Sequence, residues 1–162
     1  MKSPQKKLIP FTVSIGLSLG LGYLAGQITR GGIVPWYTAL EKPPLTPPNG
    51  LFAPVWTLLY LLMGIAAARI WIYGKHHRWG KTALYHYGVQ FVFNILWTLV
   101  FFYLHQPFWG LVILLVLLVL IERTQKWFRT VDRLASRLMI PYFLWVLFAT
   151  YLNAGVWWLN PS

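Results

Sequence analysis

The segment WYTALEKPPLTPPNGLFAPVWTLLY, Trp36 to Tyr60, constrains the fold more than any other part of the chain. Its five prolines, Pro43, Pro44, Pro47, Pro48 and Pro54, remove backbone donors and fix φ. Regular helix is therefore expected only from Pro54, a residue tolerated in a first helical turn. What precedes it reads as a stiff loop. A segment already near polyproline geometry loses little entropy on closing over something, which makes Trp36 and Tyr37 a plausible lid. The same two rings equally suit a membrane-interface belt, where Trp and Tyr are enriched. Both readings stand at this point.

What flanks the loop decides its setting. The chain of 162 residues is 57% hydrophobic and 18% aromatic, and only 10% of it is charged. That composition is far from a soluble domain and reads as an integral membrane protein. The +11 net charge would suggest nucleic acid in a soluble protein. Here topology explains it, and no nucleic-acid partner is expected. Cysteine is absent, which excludes disulfides, thiolate catalysis and Cys-ligated metals.

Five apolar stretches are each long enough to cross a bilayer, at about 8–29, 54–73, 82–104, 107–124 and 134–158, with the proline-rich loop at 30–53. The expected fold is all-α, a single domain over 1–162 forming a bundle of five transmembrane helices. The other connections are short, which favours antiparallel neighbours. The first stretch follows Lys2, Lys6 and Lys7 but exceeds a signal peptide's apolar region and lacks a clear cleavage site, so it is expected to be retained. Within it, Gly16 with Gly20, and Ser18, Gly22 and Gly26, form small-xxx-small series suited to close helix packing.

If the spans alternate, Lys2, Lys6, Lys7, Arg69, Lys75, Arg78, Lys81, Arg123, Lys126, Arg129, Arg133 and Arg137 share one side, leaving Arg30 and Lys42 on the other. The positive-inside rule then puts the amino terminus in the cytoplasm and the loop and carboxyl terminus opposite. The segment 123–137 could also hold anionic headgroups, although its role as a topology determinant is sufficient by itself. No long Arg/Ser-rich extension precedes the first span, and a bacterial cell membrane is the expected location.

Intramembrane polar residues need a partner or a task. Gln90, Asn94 and Trp97 share a face of the third span, Tyr142, Trp145, Ala149 and Asn153 a stripe of the fifth, and Trp56 and Tyr60 lie one turn apart on the second. Converging beneath the loop, these faces would make an apolar cavity with large π surfaces and few polar anchors, suited to a flat hydrophobic ligand. Alternatively, Asn94 and Asn153 bond between helices while the rings simply pack. Glu122 and Asp132 lie near the basic connections, so no intramembrane carboxylate supports acid–base or proton-relay chemistry. No His/carboxylate spacing suggests a metal, and His86 reads as an interfacial histidine rather than a haem ligand.

The motifs WYTALEKPPLTPP, PVWTLLYLLMG, QFVFNILWTLVFF and PYFLWVLFATYLN resemble, in order and spacing, those of the tryptophan-rich sensory protein and translocator protein (TspO/MBR) family, which includes the peripheral-type benzodiazepine receptor. The resemblance spans about residues 36 to 160. It implies a five-helix bundle, commonly a homodimer in the lipid bilayer, with a cavity under the first loop that binds tetrapyrroles such as protoporphyrin and requires no cofactor. By motif position it implies Tyr37, Pro47, Trp56, Tyr60, Asn94, Trp97, Trp145 and Ala149 as ligand contacts, to which the helical stripes add Gln90 and Asn153. It further implies Trp56 and Trp145 as the reactive residues wherever the porphyrin is degraded in light.

Two departures limit what carries over. No basic residue follows Tyr151, where sterol-binding relatives have one, which argues against sterol binding. Ile113 stands where many relatives keep an aspartate early in the fourth span. The remaining cations on the loop side, Arg30 and Lys42, are then the candidates to meet a porphyrin propionate.

Overall fold

The computed structural model of the chain describes residues 5–161. Lys2 lies outside them, as do the side chains of Lys6 and Lys7. The described residues form helices α1 (Gln5–Gly32), α2 (Asn49–Gly74), α3 (Gly80–Thr98), α4 (Pro107–Val131), α5 (Arg133–Leu138) and α6 (Ile140–Leu159). Two π-helical turns, Ile33–Tyr37 and Leu99–Tyr103, extend α1 and α3.

Five stretches are long and apolar enough to span a membrane: Leu8–Gly32, Asn49–Gly74, Gly80–Tyr103, Pro107–Val131 and Arg133–Leu159. They run to 24–27 residues, beyond the roughly 20 needed for a bilayer core, so their ends project or the helices tilt.

The boundaries differ from the sequence expectation where proline and capping act locally. Helix α2 starts at Asn49 rather than Pro54 because Pro48, with φ −56° and ψ 143°, occupies its N-cap. The first turn needs no intrahelical donors, and the Leu51 N–H already reaches the Pro48 carbonyl at 2.9 Å. Pro54 then falls in the second turn, forgoing one bond at an exposed helix end. Irregular backbone is thereby reduced to residues 40–48. Helix α4 runs past residue 124 to Val131, since Thr124 and Phe128 continue the buried stripe of Leu114, Leu117 and Ile121. Asp132 then stops α4 and caps α5, its carboxylate accepting the Leu134 and Ala135 N–H groups. The last span breaks at Met139, just ahead of Pro141 in the first turn of α6.

Helix α1 packs on α2, α3 on α4 and α4 on α6, while α5 bridges α2 and α4. Met63, Ile70, Leu114, Leu117, Ile121, Phe128, Met139, Tyr142 and Val146 are fully buried at the centre. The α1 and α2 backbones come close at Gly64, where a Cβ would sit 2.7 Å from the Ile15 Cα. Of the α1 small residues, Ser18 and Gly22 face inward, onto Tyr87 and Tyr60. Gly16, Gly20 and Gly26 face open space instead, so that part of the series does not pack within the bundle.

Candidate functional site

The π-turn after α1 follows from Pro35, which cannot donate; Thr38 N–H reaches back five residues to the Ile33 carbonyl. It delivers Trp36 and Tyr37 toward the bundle rather than outward. Tyr37 is 3% exposed and packs against Phe52, Phe101 and Phe102 at centroid distances of 6.3, 6.1 and 5.8 Å. Burial pushes its hydroxyl pKa above the ordinary tyrosine value. Trp36 stacks on His105 at 4.4 Å and meets Phe101 edge-on. His105 holds a left-handed backbone, φ 55°, where the third span turns into the fourth. Of the two readings of this aromatic pair, the lid accounts for the position of Tyr37.

The loop behind Tyr37 is tied to α6. The Tyr151 hydroxyl donates to the Pro44 carbonyl at 2.8 Å, Asn160 bonds the Glu41 backbone, and Pro43 packs against Gly155. Lys42 Nζ donates to the Leu40 and Thr38 carbonyls and lies 5.1 Å over the Tyr37 ring. That cation is engaged with its own loop, whereas Arg30 is exposed at the end of α1.

Beneath this cover, rings from three helices surround Trp56. Tyr60 stacks on it at 5.5 Å, and Trp97, Tyr142 and Trp145 lie at 6.0, 6.3 and 6.5 Å, the last at 88°. Offset and edge-on pairs are the favoured arrangements of aromatic quadrupoles. The polar groups are threaded between them. Tyr60 Oη donates to Asn94 Oδ1 at 2.7 Å, Tyr142 Oη to Gln90 Oε1 at 2.9 Å, and Trp97 Nε1 to Asn153 Oδ1 at 3.2 Å. Asn153 Nδ2 donates in turn to the Pro107 carbonyl. Gln90 and Asn94 are fully buried, yet Gln90 Nε2 and Asn94 Nδ2 have no partner. Buried amide donors are costly to leave unpaired, so these two are the groups of this layer with hydrogen-bonding capacity left over among the described residues.

A cavity of about 20 Å³ separates Tyr37 from the α6 stripe. Tyr37, Trp97, Ala149 and Asn153 line it; Trp56, Tyr60, Asn94 and Trp145 form the neighbouring layer, and Gln90 lies one turn deeper. Pro47 is half-exposed on the loop and does not line the cavity. Phe52, Phe101, Phe102, Leu152 and Val156 also line it, although the sequence reading omitted them. Phe52 precedes Trp56 by one turn, and Leu152 and Val156 continue the Ala149 stripe, so helical spacing could have found these three. Phe101 and Phe102 are adjacent in sequence and both buried, a consequence of the π-turn that no regular period reveals. A space of this size holds about one water molecule, whereas a drug-sized ligand needs several hundred Å³.

A sequence profile of the TspO/MBR family matches residues 14–159, taking in the loop, the aromatic layer, most of the first span and the other four. The chain belongs to the TspO/MBR family. The tryptophan-rich protein TspO of Chlorobaculum tepidum is 35% identical over 156 residues, covering 96% of this chain and 99% of the relative. Protein CrtK of Rhodobacter capsulatus is 40% identical over 127 residues, 78% of this chain and 79% of its own. The human translocator protein is 34% identical over 161 residues, 97% and 92%. With its five spans, this TspO/MBR member is a multi-pass integral membrane protein.

Proposed function

We propose that the protein is a membrane receptor or sensor that binds tetrapyrroles of the protoporphyrin kind in the aromatic chamber beneath residues 40–48. A relative from Cereibacter sphaeroides, 36% identical, is named a tryptophan-rich sensory protein, which supports the sensory half of this reading. The observation that carries the ligand class is the pairing of large π faces around Trp56 with the unpartnered amide donors of Gln90 and Asn94. A flat macrocycle offers both an aromatic plane and acceptor atoms. Tyr37, Trp56, Tyr60, Asn94, Trp97, Trp145, Ala149 and Asn153 contact the ligand, with Pro47 on the covering loop and Gln90 at the deepest point. Entry requires Tyr37 and the loop to move away. Arg30, free of the contacts that occupy Lys42, is the better placed of the two cations to meet a propionate at the mouth.

The protein sits with its amino terminus in the cytoplasm, by the distribution of basic residues, and pairs as a homodimer. The lack of a Lys or Arg after Tyr151 speaks against sterol as its ligand.

A second reading is light-dependent breakdown of the bound porphyrin. It is favoured by Trp97 and Trp145 lying beside Trp56, which allows an indole next to an excited macrocycle to exchange an electron with it, with dissolved dioxygen as the oxidant that opens the ring.

Titrating detergent-purified protein with protoporphyrin, by tryptophan fluorescence quenching in the dark and under illumination, tests both. Saturable dark quenching that weakens in Trp56→Phe and Trp145→Phe is the expected result. Bleaching of the porphyrin spectrum in light, lost in the same variants, would add the second activity. Absence of saturable quenching would overturn the ligand assignment and leave an aromatic core that only packs.

A further inference from the structure

At the end of the bundle away from the loop, a cation and three rings form a line of successive contacts. The Arg78 guanidinium lies 4.4 Å over the Trp79 ring, Trp79 is 5.1 Å from Trp127, and Trp127 is 5.6 Å from His86. The line crosses from the start of α3 to α4. Its rings are half-buried, and Tyr85 stands exposed, edge-on to His86.

Four exposed cations flank these rings in sequence, Arg78 and Lys81 beside Trp79, Arg123 and Lys126 ahead of Trp127. One carboxylate opposes them, since Glu122 bonds Lys126 at 2.7 Å and lies 3.9 Å from Arg123. The chain's other two carboxylates are elsewhere, Asp132 with Arg69 and Glu41 in the loop.

The positive-inside rule explains the sign of these charges but not two indoles stacked between them. An interfacial aromatic belt explains the indoles but not a guanidinium laid on one. Stacking covers the face of Arg78 and leaves its in-plane N–H donors free, the geometry that suits a phosphate. The half-buried rings beside it suit the ester and upper acyl region of a lipid.

We propose that the α3–α4 surface at this end is a binding site for one anionic phospholipid, its phosphate among Arg78, Lys81 and Arg123 and its chains along Trp127 and His86. Glu122 opposes the headgroup and moderates the affinity. Charge complementarity and the mixed ring-and-cation surface favour a lipid over a soluble anion, which would have no use for the indoles.

Native mass spectrometry of the full chain from micelles doped with equal phosphatidylglycerol and phosphatidylcholine tests this. The wild type retains one phosphatidylglycerol in preference to phosphatidylcholine. Arg78→Gln with Arg123→Gln lowers that preference by about fivefold per cation removed, whereas Arg133→Gln with Arg137→Gln, on α5, leaves it unchanged. Glu122→Gln raises it, and this variant keeps the test decisive if the first pair fails to fold. No headgroup preference in the wild type, an equal loss from the α5 pair, or no gain in Glu122→Gln would each overturn the site.

Discussion

Asn160 holds both backbone groups of Glu41: its Oδ1 accepts the Glu41 N–H at 3.0 Å and its Nδ2 donates to the Glu41 carbonyl at 2.9 Å. A single side chain at the end of α6 thus reproduces, for one residue, the pairing of a neighbouring strand. The proline loop has few donors of its own with which to anchor itself.

Removing that clasp in Asn160→Ala should free the loop while leaving the bundle intact. Loss of two net hydrogen bonds at an exposed end is worth about 1–2 kcal/mol locally. Amide exchange at Glu41 should accelerate, and porphyrin association and dissociation should both quicken. Unchanged exchange at Glu41 would show that Pro43 and Tyr151 suffice to hold the loop.

Glycine positions should divide sharply. Gly64→Ala places its methyl against the Ile15 backbone, which cannot retreat without moving α1, so a loss of about 1–3 kcal/mol is expected. Gly16→Ala and Gly20→Ala meet nothing and should be neutral or gain up to about 1 kcal/mol from helix propensity. Thermal unfolding in one detergent compares all three, and equal losses would contradict the packing described.

Tyr142→Phe takes away the donor that satisfies Gln90 Oε1 and leaves both ends of a fully buried amide unpaired. The expected cost is about 1–3 kcal/mol. Adding Gln90→Leu should recover most of it, because an apolar pair of similar shape carries no unmet donors. If the double variant is no more stable than Tyr142→Phe, the amide is being satisfied by something else.

Acid should weaken the clamp between α2 and α5. Asp132 is pushed up by partial burial, but bonds from Arg69 and from the Ala135 and Leu134 N–H groups outweigh this and hold its pKa below the ordinary carboxylate value. A depressed folded pKa means stabilisation that is fully present above the unfolded pKa, about 4, and is lost as pH falls through the folded value. Comparing melting temperatures from pH 6 down to 2, Asp132→Asn should be less stable at pH 6 and the gap should close toward pH 2. A gap that stays constant would exclude protonation of Asp132 as its source.

The five spans, the membrane setting and the shared faces of Trp56 with Tyr60, of Gln90 with Asn94 and Trp97, and of Trp145 with Ala149 were legible in the sequence. Apolar length and helical spacing are local properties, written into consecutive residues. The start of α2 was misjudged because Pro48 acts as a cap rather than a breaker, and capping depends on backbone angles that composition does not reveal. Only the tertiary structure decided that Tyr37 turns inward, that Gly22 packs while Gly16 and Gly20 do not, and that Phe101 and Phe102 both reach the cavity. Each depends on how far one helix is rotated against another. The clasp between Glu41 and Asn160 joins residues 119 apart in sequence. No local pattern encodes such a pair, because it exists only after α1, α2 and α6 have packed and brought the proline loop and the carboxyl end to the same side.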